Sequence, residues 1–295
     1  MKMMKKISYI NGNRLISIDP ITGTKIRFVE VGKEHEQYIP FRPENIDINV
    51  SYFCEENCPY CYLNANPKGQ RLQDELKTQE LLDQIFGELD IQGTEIAMNL
   101  NSKKDLNISA FLSEFFWSKK AIPNFTIRSR VFLDLEKQEL EFLNAGWIGI
   151  SVNSTREILE ILLNCKNKNI NMSRIVFHVI NKVFEDESFL MHLLALKDLK
   201  FLFLGYKEVG RGSKHLPETT GFDLDCLMGL AKNNKISFDN LMVKQTEILK
   251  KVPEFEKIRF LGEDGNHSFY IDLVKQTFSK SSTELDSTRT PIKNL

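Results

Sequence analysis

Three cysteines in one short stretch, Cys54, Cys58 and Cys61, constrain this chain more than any other feature. They lie in Tyr52-Phe53-Cys54-Glu55-Glu56-Asn57-Cys58-Pro59-Tyr60-Cys61-Tyr62, at the end of a β-rich run over residues 46–52. The i, i+4, i+7 spacing also matches one face of a helix. Pro59 argues against a helix, because proline lacks a backbone donor and its ring clashes with the preceding turn. It also biases Cys58 toward extended backbone. The stretch therefore reads as a loop leaving a strand, with any helix starting after Pro59. Thiolates bind soft metals and iron–sulfur centres. In a cube of four irons, three protein thiolates leave one iron open to a small molecule.

Other uses of these cysteines fit less well. The chain has five cysteines in 295 residues. The odd count, with no signal-type apolar segment, argues against a disulfide framework. A structural zinc site needs four closed ligands. A zinc-stabilised binding protein would have to draw its fourth from Cys165 or Cys226, since the nearest histidine, His35, lies upstream. A redox pair of Cys58 and Cys61 would leave Cys54 without a role. Cys165 and Cys226 each stand alone on helical stretches and read as small core residues.

The rest of the chain alternates between two periods. Residues 6–10 and 14–18 flank Asn11-Gly12-Asn13, a hairpin signal, and a second turn at 19–23 leads into a β-rich run over 25–31. This predicts a β appendage over residues 1–40. Strands then follow at 46–52, 94–100, 124–127, 148–152, 174–180 and 200–205, with a last one at 236–241. Helices fall between them at 74–89, 108–118, 135–145, 155–163, 187–194 and 222–231, the 135–145 helix stopping at Gly146 as its cap. About six strand–helix repeats imply an α/β fold with a parallel sheet. Periodicity alone allows a partial (βα)6 TIM-like barrel or an open doubly wound sheet, and both gather ligands at the strands' C-terminal ends. The main domain spans 41–252. A C-terminal extension over 253–295 carries a strand-like run at 268–273 and a polar end of about a dozen residues expected to be disordered.

The C-x3-C-x2-C spacing, with an aromatic residue before the last cysteine and a strand before the first, resembles the signature of the radical SAM superfamily. The likeness extends, in order, to Gly93-Thr94-Glu95-Ile96-Ala97, Ile122-Pro123-Asn124-Phe125-Thr126, Gly149-Ile150-Ser151-Val152-Asn153 and Leu204-Gly205-Tyr206-Lys207-Glu208-Val209-Gly210-Arg211-Gly212. These resemble successive strands of a bacterial and phage subgroup near the SPASM-type branch. The resemblance implies a partial (βα)6 barrel, a [4Fe–4S] cluster on Cys54, Cys58 and Cys61, and S-adenosylmethionine at the open iron. It implies reductive cleavage of that cofactor to a 5′-deoxyadenosyl radical, which takes hydrogen from a substrate: peptide, nucleotide or metabolite. It further implies a cellular electron donor such as flavodoxin or ferredoxin.

Tyr60 matches the family's aromatic position. Ser151 and Asn153 match a polar pair used on the cofactor ribose, and alternation along a strand puts both on one face. Lys207 and Arg211 flank a glycine-rich turn where a cation could meet a carboxylate. The family's glycine-rich second-strand motif is replaced by Met98-Asn99-Leu100-Asn101-Ser102-Lys103. There Asn99 or Asn101 is left to offer a carbonyl oxygen to the methionine ammonium. This departure also allows a degenerate relative that keeps the cluster without turnover. The C-terminal cysteines of related peptide-modifying enzymes are absent, with Ser279, Ser281 and Ser282 nearby, so no auxiliary cluster is expected. His178, on an apolar strand, and His192, on a helix, read as satisfied structural histidines.

Composition adds little beyond exclusion. Thirty-nine basic residues against 40 acidic give a net charge of −1, so no general attraction to nucleic acid is indicated. No apolar run is long enough to span a bilayer. No membrane partner and a cytoplasmic location are expected, where reduced thiols suit cluster assembly.

Overall fold

The computed structural model describes residues 6–20, 23–33, 36, 38–185, 190, 192, 199–215, 222–231, 235–252 and 264–294. Two sheets organise them. The first is antiparallel: β1 (Ile7–Asn11), β2 (Arg14–Ile18) and β3 (Lys25–Phe28). Asn11 pairs with Arg14 across a two-residue turn, and Gly12 takes φ +60, which glycine adopts freely. One face of this sheet packs Tyr9, Ile16 and Ile18 against Ile122 of the main body.

The main sheet runs β4 (Asn45–Asn49), β5 (Glu95–Leu100), β6 (Ile122–Arg128), β7 (Trp147–Val152), β8 (Ile175–Ile180), β9 (Lys200–Leu204) and β10 (Lys235–Phe238). Each is parallel to, and hydrogen-bonded with, the next in sequence. A doubly wound sheet would reverse direction from its first strand. Uninterrupted order is that of a barrel wound one way, so the structure decides between the two architectures. Beyond β4 the sheet continues through β11 (Ser268–Asp272), β12 (Thr277–Ser279) and β13 (Thr290–Pro291), with β11 parallel to β4.

Crossover helices cover the outside: α1 (Glu75–Phe86), α2 (Leu106–Ser118), α3 (Ser129–Asp134), α4 (Lys137–Leu143), α5 (Thr155–Lys168) and α6 (Leu224–Ala231), with α7 (Asn240–Thr246) after β10. Asp74 caps α1 by accepting from Lys77 N at 3.1 Å. The expected 187–194 helix lies largely outside the described residues. Strand alternation sorts the side chains. Ile46, Ile48, Ile96, Met98, Phe125, Ile127, Ile150, Phe177, Val179, Phe201 and Phe203 are buried in the hydrophobic core. Each such side chain contributes roughly 1.5–3 kcal/mol on burial. Their neighbours Asp47, Asn99, Thr126, Arg128, Ser151 and His178 line a cavity inside the barrel.

Three local expectations change. The 135–145 helix is broken at Leu135, which is extended (ψ 139), and α4 ends at Asn144 rather than Gly146. Asn144 takes the left-handed cap conformation (φ 50), which asparagine tolerates, while Gly146 N donates to Pro123 O and enters β7. Helix α5 runs on to Lys168 because Ile158, Ile161 and Cys165 continue its buried face. The polar end is ordered through residue 294: Ile292 is buried and Arg289 is 5% exposed beside Asp272.

Candidate active site

The cysteine loop starts where β4 ends. Tyr52 N donates to Gln70 O at 2.7 Å, Asn66 N to Tyr52 O at 3.0 Å, and Cys54 N to Asn66 O at 3.1 Å. The returning segment is thus laced to the outgoing one. Between them the chain turns, with Cys61 N on Cys58 O at 3.3 Å and Asn64 N on Cys61 O at 3.2 Å. Asn57 and Asn64 take φ +49 and +58 to make these turns. No helix follows Pro59; residues 59–63 form turns.

A second segment clasps the loop from the far end of β9. Arg211 Nε donates to Cys58 O at 2.8 Å and Nη2 to Ala65 O at 2.7 Å. Its backbone N–H donates to Cys61 O at 3.1 Å. Gly210 (φ +60) permits the approach, since a Cβ there would fall 2.3 Å from Tyr62 O. From below, Asp272 of β11 accepts from Tyr52 Oη, and from Asn49 Nδ2 and Tyr270 Oη at 3.4 Å each.

Cys54 is buried, and Cys58 and Cys61 are half-buried; all three are free thiols. All three line the barrel cavity, whose volume is about 1670 Å³. Burial pushes the Cys58 thiol up against the pull of the Arg128 guanidinium. Arg128, at the end of β6, pairs with Glu56 at 2.6 Å and donates to Tyr60 Oη at 3.5 Å. Burial opposes its charge, but Tyr60, Cys58 and Glu56 keep it cationic.

The sequence-derived residues divide into two groups. Tyr60, Asn99, Asn101, Ser151 and Lys207 line the same cavity as the three cysteines. Asn99 is fully engaged: its Oδ1 accepts from Val50 N at 2.8 Å and its Nδ2 donates to Ser51 O at 2.9 Å. Asn101 uses only its Nδ2, on Ser51 O at 3.0 Å. Lys207 sits 4.0 Å from the centre of the Tyr62 ring and donates to Ser282 Oγ at 2.7 Å. Burial disfavours its charge, yet Tyr62, Asp47, Asp239 and Asp264 raise its pKa.

Arg211 and Asn153 are not among the residues lining the cavity. The Arg211 guanidinium is committed to loop carbonyls rather than presented to a carboxylate. The Asn153 N–H donates to Glu157, its C=O accepts from Glu185 N, and its Oδ1 is buried without a partner.

Sequence reasoning passed over Arg128, although it follows Thr126 on the cavity-facing side of β6. It also misjudged His178, which is not satisfied. Its Nδ1 is buried without a hydrogen bond, and its ring lines the cavity. Cys165 is core, 1% exposed, with burial pushing its thiol to about 11. The Cys226 side chain lies outside the described residues. Ser281 donates to Asp264 at 2.7 Å and Ser279 to Ser281 O at 2.9 Å. No helix among the described residues is long and apolar enough to cross a membrane.

No protein-family model matches the chain, and no curated protein matches its sequence. Solved structures do match in shape. Streptococcus suis SuiB bound to precursor peptide SuiA superposes with a TM-score of 0.61 at 13% identity, covering 97% of this chain and 84% of that one. SuiB bound to S-adenosylmethionine gives 0.60 at 12% identity, covering 98% and 85%. AnSMEcpe with bound AdoMet gives 0.50 at 10% identity, covering 85% and 78%. The chain shares the fold of these structures.

This shared fold, with the resemblance of the cysteine loop to the radical SAM signature, raises the question of whether these residues suit a [4Fe–4S] cluster. No group of three His, Cys, Asp or Glu among the described residues is arranged to hold one metal ion. A single ion needs its ligands converged on one point, whereas a cube takes one thiolate at each of three irons. Three free thiols on one cavity wall, with the Arg128 cation beside Cys58, meet the second requirement. An anionic cluster is stabilised by such a charge.

Proposed function

We propose that this chain is a radical SAM enzyme whose Cys54, Cys58 and Cys61 hold a [4Fe–4S] cluster and whose barrel cavity binds S-adenosylmethionine. The observation that carries the reading is three disulfide-free thiols, just past the C-terminal end of the first barrel strand, lining one large barrel cavity. When bound, the two groups supply one-electron cleavage of the sulfonium to a 5′-deoxyadenosyl radical and hydrogen abstraction from a substrate.

The chain's own residues bind and orient. Arg211 and the left-handed asparagines fix the backbone of the thiolate loop. Arg128 balances negative charge beside Cys58. Asn101, with its carboxamide oxygen uncommitted, receives the methionine ammonium. Ser151 faces the nucleoside, Tyr60 shields the loop from water, and Lys207 supplies buried positive charge for a carboxylate. The electron comes from a donor such as flavodoxin or ferredoxin.

The cavity runs from the cysteine loop down to Lys25, Arg27, Glu44 and Glu95, and its volume exceeds the roughly 300–1,000 Å³ of a single small-molecule pocket, so it holds space for a substrate as well as the cofactor. Among peptide, nucleotide and metabolite, peptide has the most support, because SuiB of the same fold was solved with a precursor peptide.

Anaerobic reconstitution tests the proposal. The holoprotein should carry about four irons per chain and release 5′-deoxyadenosine with dithionite. A fully loaded protein that binds S-adenosylmethionine yet makes no deoxyadenosine would sink the catalytic reading. One observation favours the degenerate alternative: Asn99 stands where the family has bare backbone, and its carboxamide is already bonded to Val50 and Ser51. In that case cofactor binding itself should be weak or absent despite a full cluster.

A further inference from the structure

His178 lies at the level of Ser151, its register partner on the neighbouring strand. Its ring leans over Gly149, where a Cβ would fall 2.2 Å from Cε1 and 2.3 Å from Nε2. Only glycine leaves that space, so the imidazole has a seat cut into β7. Nδ1 is enclosed without a partner, and no residue hydrogen-bonds the imidazole among the described residues. Burial depresses its pKa to about 4, so the ring is neutral near pH 7 and can both donate and accept. With Nδ1 enclosed, Nε2 is the ring nitrogen left to hydrogen-bond a ligand in the cavity.

Ser151 is in the same condition. It lines the cavity and makes no side-chain hydrogen bond among the described residues. Asn153, the expected second member of a ribose-binding pair, is not among the residues lining the cavity. Geometry also favours the cross-strand neighbour. Residues two apart along a strand are separated by about 6.6 Å, whereas adjacent strands lie about 4.8 Å apart. Two groups on neighbouring strands converge more easily on adjacent hydroxyls.

We infer that Ser151 and His178, across β7 and β8, form the hydrogen-bonding pair that receives the ribose diol of the bound nucleoside, with Gly149 as the seat that positions the imidazole. This rests on the proposed use of S-adenosylmethionine and assigns a residue to it that the sequence motif did not.

The probes are 5′-deoxyadenosine and its 2′-deoxy analogue, titrated calorimetrically into anaerobic, iron-loaded protein. The wild type should prefer the intact diol by about tenfold, the scale of one net hydrogen bond. His178→Phe should bind 5′-deoxyadenosine about tenfold more weakly and lose the preference, with iron content and cluster EPR unchanged. His178→Gln should retain part of both. Gly149→Ala, which pushes on the ring without removing it, should shift affinity in the same direction. If His178→Phe keeps wild-type affinity, or keeps the full preference for the diol, the assignment of His178 is wrong. Iron-loaded wild type that binds neither S-adenosylmethionine nor 5′-deoxyadenosine would instead overturn the proposed function.

Discussion

The two ends of the barrel treat polar groups in opposite ways. At the N-terminal ends of the strands, the small β1–β3 sheet meets the body around Glu44. This carboxylate, 2% exposed, takes Lys25 at 3.3 Å, Arg27 Nε at 2.9 Å and Tyr38 Oη at 2.7 Å. At the C-terminal ends, the Cys54 and Cys61 thiols, the His178 ring and the oxygens of Ser151 and Asn101 line a cavity without partners among the described residues, and the Cys58 thiol makes only a long contact to Glu56 at 3.6 Å. Charges are matched at both ends, Arg128 with Glu56 at the C-terminal one, but there a set of neutral groups is also left for a ligand to complete. Barrel enzymes separate stability and chemistry between their two faces in this way.

The comparison is broken most severely at the open end. Cys58→Ala should abolish cluster loading, with iron by colorimetric assay falling to background and deoxyadenosine formation lost, while the fold by circular dichroism persists. If iron loading survives, the thiol assignment fails. At the N-terminal end, Glu44→Gln should destabilise the protein by about 3 kcal/mol in urea, because it strips half-buried Arg27 of its counter-charge and leaves buried Lys25 with Glu95 alone.

The same carboxyl gives a pH signature. Burial alone would raise its pKa, but Arg27, Lys25 and Tyr38 hold it down to about 2. A depressed folded-state value stabilises the protein above the ordinary 4.5, and that contribution is lost as pH falls from 4.5 toward 2. Wild-type stability should therefore decline through this window more steeply than that of Glu44→Gln.

Arg211→Ala probes the clasp. The reconstituted protein should surrender iron to a chelator about tenfold faster, a change of about 1.4 kcal/mol in barrier, with little change in melting temperature. Equal chelation rates would show that the loop holds itself. The smallest effect should come from Arg156→Ala on α5. Its pair with Glu160 at 2.9 Å is 86% and 46% exposed, and removal should change stability by less than about 0.5 kcal/mol.

Local chemistry was legible where it acts through neighbouring residues. Asn11-Gly12-Asn13 announced its hairpin, Asp74 its helix start, and the period-2 runs their strands, usually within two residues. Pro59 correctly excluded a helix through the cysteines. The misses share a cause. A helix over 135–145 satisfies periodicity, and only packing after β6 extends Leu135 and splits it. The polar composition of the last residues suggested disorder, but β12 and β13 and the Arg289–Asp272 contact tie them down. Arg211 looked like a ligand for a carboxylate, yet its partner is Cys58 O, 153 positions earlier. His178 looked like core because its strand is apolar, and nothing nearby in sequence shows that Gly149 leaves its ring a seat.

The sequence by itself determined the thiol loop, its emergence from a strand and the alternation that makes a parallel sheet. These follow from proline sterics, residue spacing and side-chain period, all of which act over a few residues. Only the tertiary structure decided that the strands wind one way, that β11 joins beside β4, and which polar groups face the cavity unpaired. Those outcomes depend on hydrogen bonds and contacts between segments far apart in the chain, where no local pattern records the partner.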